Sequence, residues 1–426
     1  MNKVNLLSIS RRLVMKVRGI ASGIRLRDSY PEMGTCEVLF LCHDADRGTE
    51  VDGLAFSQLL DPVRINLERN GVKTLTIAHP FSTLVLKKAF GQPHTINRAY
   101  LRSMVSGRVL RILTGGTLKY NSRRKKLWQE ILRNSQAQMI VTIGASVELC
   151  LAAHAEDIFL VELLHGYRYE EIPWLYETRN ADELPHQILA LDEMSLKTFS
   201  ELSLDENYCV IVANPWHEWI AKSGEINLDP WNSGIKSLEH AKTRGMKIVL
   251  VCLQWGYGKG ESFEGLFENE LFPPQLESAV ADSTDEVIWI FRLHPVQLRG
   301  RSYGKQRLYL SNFTDQYVNA LSYELQTAPL PLVLMFSDCH LSPGSGSTAE
   351  ALMFGVPSLF IDFQGPVADR VKIGYEAELL QSTVEMWDGN LQNLSQWIND
   401  TKTKEDLLEN QSESVVSIIM KRIRTT

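Results

Sequence analysis

Short runs of consecutive apolar residues alternate with longer stretches of helical periodicity along most of this chain. Glu37–Cys42 (EVLFLC), Lys73–Ala78 (KTLTIA) and Met139–Ile143 are runs of the first kind. So are Asp157–Leu163, Gln187–Leu191 and Tyr208–Ala213. Such a run reads as a strand buried on both faces, the habit of parallel sheets. Leu54–Asn70 places Leu54, Phe56, Leu59, Leu60, Val63, Ile65 and Leu67 at helical spacing, and Gly71 stops it. With its flanking strands it predicts a right-handed βαβ unit in a doubly wound sheet. Glu225–Glu239 is polar, contains Pro230 and Gly234, and reads as a linker. Beyond it, Met246–Leu253 and Glu286–Arg292 (EVIWIFR) predict strands of a second sheet. Residues 404–423 predict a closing helix through Leu407, Leu408, Val415, Val416, Ile418 and Ile419.

The stretch from Leu332 to Asp362 organises the second half. Leu332–Phe336 reads as a strand, followed by a turn with Gly344 and Gly346. Ser347 is placed to cap a helix, with Glu350 completing a capping box. Gly355 ends that helix, and Ser358–Ile361 reads as the next strand. The turn is rich in small hydroxyls: Ser342, Ser345, Ser347 and Thr348. Free backbone N–H groups, hydroxyl donors and the positive end of a helix dipole make an anion site, most often for phosphate. An ordinary strand–turn–helix would look the same. A second glycine-rich loop, Gln254 to Gly260, follows Met246–Leu253, and its glycines let a backbone approach a ligand closely.

Length and charge narrow the class. A chain of 426 residues holds two or three domains with large cores. A formal charge of -7 argues against a general nucleic-acid binder. The six cysteines show neither a CxxC pair nor zinc spacing, and Cys42, Cys209 and Cys252 lie in apolar runs. They read as reduced core residues of a cytosolic protein. No run is long enough for a membrane span, and no signal-peptide pattern is present. Residues 1–27 nevertheless mix Leu6, Leu7, Leu13 and Val17 with Lys3, Arg11, Arg12, Lys16 and Arg18 and contain no acid. That pattern fits a helix on an anionic membrane surface, or a first helix packed on the core. Tyr100–Arg133 carries a basic face, with Arg108, Arg111, Lys119 and Arg123–Lys126. It reads as a solvated helical face or as a site for an anionic acceptor or lipid headgroup.

Two doubly wound sheets in tandem, His294-Pro295 after one strand, and Ser345-Gly346-Ser347-Thr348 after a later one resemble GT-B glycosyltransferases. More narrowly they resemble bacterial enzymes that use CMP-activated sialic acid or Kdo. Those families hold the nucleotide with a His-Pro motif and a Ser-Ser/Thr motif, and carry an acidic Asp/Glu-Asp/Glu-Gly motif in the N-terminal half. Here the corresponding strand runs into Leu164-His165-Gly166 without the acids. A His-Gly in that place resembles some capsule and lipopolysaccharide transferases.

The resemblance implies an α/β protein of GT-B class, with two Rossmann-like domains facing each other across a cleft. They would span 1–222 and 223–400, with a C-terminal helix over 401–426 packing back on the first. His294, Pro295, Ser345, Gly346, Ser347, Thr348, Gly256 and Glu350 would bind the nucleotide without an essential metal. The donor would be a CMP-linked sugar, Kdo before sialic acid, and the acceptor a saccharide or glycolipid. A CDP-glycerol-type polymer phosphotransferase and a UDP-sugar 2-epimerase-like isomerase are the alternatives on the same fold. Glycosyl transfer needs a base or a covalent nucleophile. Asp44 and Asp46 follow the first strand and Glu162 and His165 end another, so these four are the catalytic candidates. Asp44-Ala45-Asp46 also spells a DxD, the metal–diphosphate motif of another glycosyltransferase class, but in the half away from the nucleotide. Asp in such a loop equally serves as a cap. The expected location is the cytoplasm, peripherally at the inner membrane.

Overall fold

The computed structural model describes the chain except residues 1–26, 48, 81, 83–87, 114–121, 170, 174, 204, 224–230, 259–263, 300–302, 323–324, 362–374, 402–412 and 426. The amphipathic stretch 1–27 thus lies outside the described residues but for Arg27, as do Lys119, Gly260, Asp362 and residues 225–230 and 404–412. The described residues fall into two compact units, Met1–Ile226 with Gln411–Thr426, and Asn227–Asn410.

The first unit contains β1 (Val38–Cys42), β2 (Thr49–Val51), β3 (Leu54–Phe56), β4 (Thr74–Ala78), β5 (Met139–Thr142), β6 (Phe159–Leu163), β7 (Gln187–Ala190) and β8 (Cys209–Ala213). The second contains β9 (Lys247–Cys252), β10 (Val287–Arg292), β11 (Ala320–Leu321), β12 (Cys339–Ser342), β13 (Ser358–Phe360) and β14 (Val384–Met386). The chain then returns to the first unit as β15 (Glu413–Ser414). Among the described residues the first unit has a seven-stranded sheet in the order β15-β8-β7-β6-β5-β1-β4. The second has a six-stranded sheet in the order β11-β10-β9-β12-β13-β14. Every pairing in both is parallel. β1 and β5 are buried at every position, and β9 at every position after Lys247. Helices on both faces provide that cover, which is why the strands read as unbroken apolar runs.

Counted from β9, the second sheet runs third, second, first, fourth, fifth, sixth, the dinucleotide-fold order. The order reverses between β9 and β12. In the first sheet the reversal lies at β1, with β4 on one side and β5 on the other. In such sheets the crevice for a ligand opens outside the carboxyl ends at these points.

Several sequence expectations need correction. Leu54–Phe56 is not helical; it pairs antiparallel with Thr49–Val51. The helix begins at Leu60 and ends at Arg69. Ser57 Oγ accepts from Leu60 N–H, and Asp61 accepts from Ser57 N–H at 2.7 Å, a reciprocal pair that sets the entry. Phe56 is instead buried against Trp219, Trp216 and Phe90. Leu332–Phe336 is not a strand. Pro329 and Pro331 open a helical turn over Leu330–Leu334, and the strand is β12, four residues of which two are polar. The stretch read as a linker is helical over Asn232–Thr243, with Ile235, Leu238 and Ala241 turned inward. The closing helix is described over Val415–Thr425; Val415 and Ile419 pack in one cluster with Leu60, Val63 and Leu67. All six cysteines are free and buried. No helix among the described residues is long and apolar enough to cross a membrane.

The hairpin β2–β3 is fastened to the first unit by a buried ion pair. Arg47 Nη1 lies 2.9 Å from Asp61 Oδ2, with both side chains 2% exposed, and also donates to Ala55 O. Losing one partner of such a pair costs about 3–5 kcal/mol, whereas replacing both by apolar groups can be near neutral. Asp61→Ala should therefore lower unfolding free energy by that amount in urea titration, and Arg47→Met with Asp61→Leu should lose much less.

Candidate functional site

In the second unit, polar groups collect at the carboxyl ends of β9, β10 and β12. β9 leads into Gln254, exposed Trp255 and buried Gly256, whose φ of 112° suits glycine. Tyr257 then donates its hydroxyl to Pro343 O at 3.3 Å, joining this loop to the turn after β12. The two loops on either side of the strand-order reversal are thus tied together.

The turn itself is more self-sufficient than its sequence suggests. Ser342 Oγ accepts from Gly344 N–H at 3.2 Å and from Ser345 N–H at 2.7 Å. Ser345 accepts from Ser347 N–H at its hydroxyl and from Thr348 N–H at its carbonyl. Gly346 N–H is the donor left uncommitted in the turn among the described residues. A Cβ built on Gly346 meets nothing within 4 Å, so this donor stands beside open space. The expected capping box is also absent: the N-cap is Gly346, without a side-chain cap bond, and Ser347 is the first helical residue. Ser347 turns inward instead, 3.0 Å from Nε2 of His340. Thr348 is wholly buried, and its Oγ1 has no partner.

Arg292, the last residue of β10, lies in register with Cys252. Its Nη2 donates to Ala328 O at 2.6 Å, while Nη1 is enclosed without a partner. Burial pushes the guanidinium down from its usual range, and Cys252 and Glu350 oppose this from nearby. Among the described residues no carboxylate pairs with Arg292 at ion-pair distance. A half-buried cation with an enclosed Nη1 so placed is one anion short. His294 follows two residues on, with its N–H bonded to Gln297 Oε1 and its Nδ1 accepting from Val296 N–H. Pro295 opens the short helix Pro295–Arg299. The Trp255 and His294 rings are 6.4 Å apart between centroids.

The first unit has its own polar cluster at the carboxyl ends of β1, β4 and β6. His43 and His79 follow the adjacent strands β1 and β4, with ring centroids 4.5 Å apart. His79 Nδ1 faces Pro80 O, and burial, then the neighbouring His43, pushes this imidazole down to about 4. Asp44 accepts from Ser82 Oγ. Asp46 is raised above the usual carboxylate range by burial, opposed first by His43 and then by His165. His165 Nδ1 lies 3.1 Å from the Tyr169 hydroxyl. The structure therefore gathers Asp44, Asp46 and His165 with His43, which was no candidate in the sequence, and His79, whose His-Pro pair ranks behind His294-Pro295 there. Glu162 stands apart from them: it is wholly buried, accepts from Tyr176 Oη and from Ala145 N–H, and burial raises it. The basic segment is partly spoken for: Arg124 pairs with Glu148 at 2.6 Å, and Arg133 with Glu156 at 2.7 Å. Lys119 and the side chains of Arg108 and Arg111 lie outside the described residues.

Arg292, His340 and His43 carried no motif, and His79 only a second copy of the His-Pro pair. The available signals were slight: an arginine ending an apolar strand just before Leu293-His294-Pro295, and a second His-Pro pair, His79-Pro80, after a strand.

No family model matches the chain, and no curated protein does. Solved structures do. A UDP-GlcNAc 2-epimerase from Neisseria meningitidis bound to UDP-GlcNAc is similar at TM-score 0.50 and 14% identity, over 91% of this chain and 100% of that one. A putative UDP-N-acetylglucosamine 2-epimerase from Listeria monocytogenes gives 0.53 and 12%, over 92% and 96%. The wall teichoic acid polymerase TagF gives 0.51 and 11%, over 100% and 99%. The chain has the GT-B fold. The likeness to CMP-sugar transferases suggested by the short motifs is thereby widened to the GT-B fold at large.

Neutral, half-buried His79 makes stability depend on pH. Its folded value of about 4 lies below the unfolded ~6.5, so the unfolded chain binds the extra proton between them. The stabilisation is complete above pH 6.5 and is lost as pH falls toward 4. The linkage is worth at most about 1.4 kcal/mol per pH unit. Over that window, wild type should lose unfolding free energy more steeply than His79→Gln, by up to this slope, in parallel denaturant titrations.

Proposed function

We propose that this GT-B chain is a transferase that takes a nucleotide-activated donor in its second unit. The enclosed, unpartnered Nη1 of Arg292 carries this reading. A nucleotide phosphate supplies the missing anion, and the Gly346 N–H and His294 complete its polar contacts. As the leaving nucleotide gains charge, these fixed donors stabilise it. The donor best matching the His294-Pro295 and Ser345–Thr348 motifs is a CMP-linked sugar. Kdo ranks before sialic acid because the acidic motif is replaced by Leu164-His165-Gly166. The acceptor is a bacterial surface polysaccharide or lipopolysaccharide.

In the first unit, His165 is the base for an inverting reaction, with Asp46 as the neighbouring acid that holds the imidazolium once formed. In a retaining reaction Asp46 or Asp44 would attack, and Asp46 is the less committed of the two because Asp44 already accepts from Ser82. As the family resemblance implies, no metal is assigned a role. The same site would take a CDP-linked glycerol or a UDP-sugar, so nucleotide preference separates the alternatives.

Calorimetry with CMP, CDP, UDP and GDP decides. CMP should bind most tightly. Arg292→Ala should weaken it by about 10- to 100-fold, the worth of a charged hydrogen bond. Gly346→Ala is the cleaner variant. With φ −59° and open space around its Cβ, it should keep the wild-type melting temperature and still lose affinity. Absence of binding to all four nucleotides would refute the reading. With the matching donor, His165→Gln should lower kcat about 10²- to 10⁴-fold while leaving nucleotide affinity unchanged.

A further inference from the structure

Two apolar side chains stand out into solvent on either side of His294. Trp255 is 42% exposed and Val296 is 41% exposed. Of the eight large apolar side chains exposed among the described residues, Trp255 is the aromatic one. Its ring centroid lies 6.4 Å from that of His294, and Val296 N–H donates to Nδ1 of the same imidazole at 3.2 Å. Pro295, between His294 and Val296 in the chain, is exposed as well. Single exposed apolar residues are ordinary, but adjoining ones at a strand-end crevice mark a binding surface. We propose that Trp255, with Pro295 and Val296 beside it, is the platform on which the base of the nucleotide stacks. It is then the residue by which the site tells a nucleotide from a bare sugar phosphate. This rests on the reading of the second unit as a nucleotide site.

The loop that carries Trp255 is held on both sides of it. Before it, Leu253 N–H donates to Arg292 O at 2.8 Å. After it come buried Gly256 and Tyr257, which is 1% exposed, donates to Pro343 O and packs on Phe267 with ring centroids 4.8 Å apart. A held loop thus turns a large, rigid ring outward. Such a ring gives contact area at little cost in entropy when a ligand covers it. Arg292 and His294 are two residues apart, so an anion at the guanidinium lies next to the imidazole that Trp255 adjoins. The platform itself bears no charge. Of the parts of a nucleotide-activated donor, the phosphates are anionic and the sugar is hydroxylated, and the base presents a planar π face. Stacking tolerates any base, because each has such a face. The platform therefore raises affinity for every nucleotide alike and leaves the choice among them to other groups.

Calorimetry on the full chain compares CMP with ribose 5-phosphate, which keeps sugar and phosphate but lacks the base. Trp255→Ala should weaken CMP about 5- to 100-fold, the worth of one base–aromatic stack. It should weaken CDP and UDP by the same factor and keep the wild-type melting temperature. Ribose 5-phosphate should not distinguish the variant from wild type. Trp255→Phe should recover most of the loss, whereas Trp255→Leu, apolar but without a ring, should behave as Trp255→Ala. In fluorescence, the emission that CMP quenches in wild type should be missing from Trp255→Phe, which still binds CMP. Unchanged CMP affinity in Trp255→Ala, or an equal loss for ribose 5-phosphate, would overturn the platform. So would quenching by a CMP-linked sugar but not by CMP, since the ring would then meet the donor's sugar. In each of these cases wild type still binds CMP and the proposed function stands. If wild type binds none of the four nucleotides, the proposed function falls and the platform with it.

Discussion

Parallel strands covered on both faces leave polar groups one place to go. Inside β1, β5 and β9 nearly every side chain is apolar and buried, and the backbone is satisfied within the sheet. Charged and titratable side chains are therefore displaced to the strand ends. At the carboxyl ends they meet where the strand order reverses, because there two successive connections leave the sheet in opposite directions and keep the space open. The second sheet reverses between β9 and β12, and the loops after those strands are the ones joined by Tyr257 and Pro343. The first reverses at β1, and His43, Asp44 and Asp46 follow that strand. One constraint thus fixes both polar clusters.

The same constraint explains what could be read from sequence. Strands buried on both faces announce themselves as apolar runs, so β1, β4 to β10 and β13 were legible to within a residue or two. β12 was not, because two of its four residues are polar: His340 is satisfied through Ser358 and Ser347, and Ser342 through the N–H groups of the turn that follows. The apolar run just before it was the better-looking strand and proved to be a helical turn, since periodicity cannot separate the two in five residues. The start of the first long helix failed for a related reason. Leu54 and Phe56 fit a helical face and a hairpin face equally, and the decision came from Ser57 and Asp61, whose bonds fix the helix entry.

At the site, motifs showed position better than function. The hydroxyl-rich turn was found, yet most of its N–H groups serve the turn. Ser342 and Ser345 hold the backbone shape that a bare glycine loop would leave to a ligand. In the proposed nucleotide site, recognition of the anion then falls to side chains, and Arg292, which has the strongest claim, was invisible as a motif because a single charged residue at a strand end is commonplace. Its meaning appears only once the absence of a paired carboxylate among the described residues is known.

The two units differ in the kind of charge they hold. In the second, Arg292 keeps its charge and His340 is held neutral, so neither changes protonation near neutral pH. Fixed charge and fixed donors suit binding of a phosphate whose own charge changes during reaction, because they need no reorganisation at that moment. In the first unit, burial lifts Asp46 toward neutrality while His79 is held uncharged beside exposed His43. A carboxyl raised toward the middle of the pH scale suits proton transfer, whereas His79, lowered to about 4, stays neutral and does not titrate near neutral pH. The transfer proposed above draws on this division: fixed charge in the second unit for a leaving nucleotide, and a raised carboxyl beside histidines in the first for a proton.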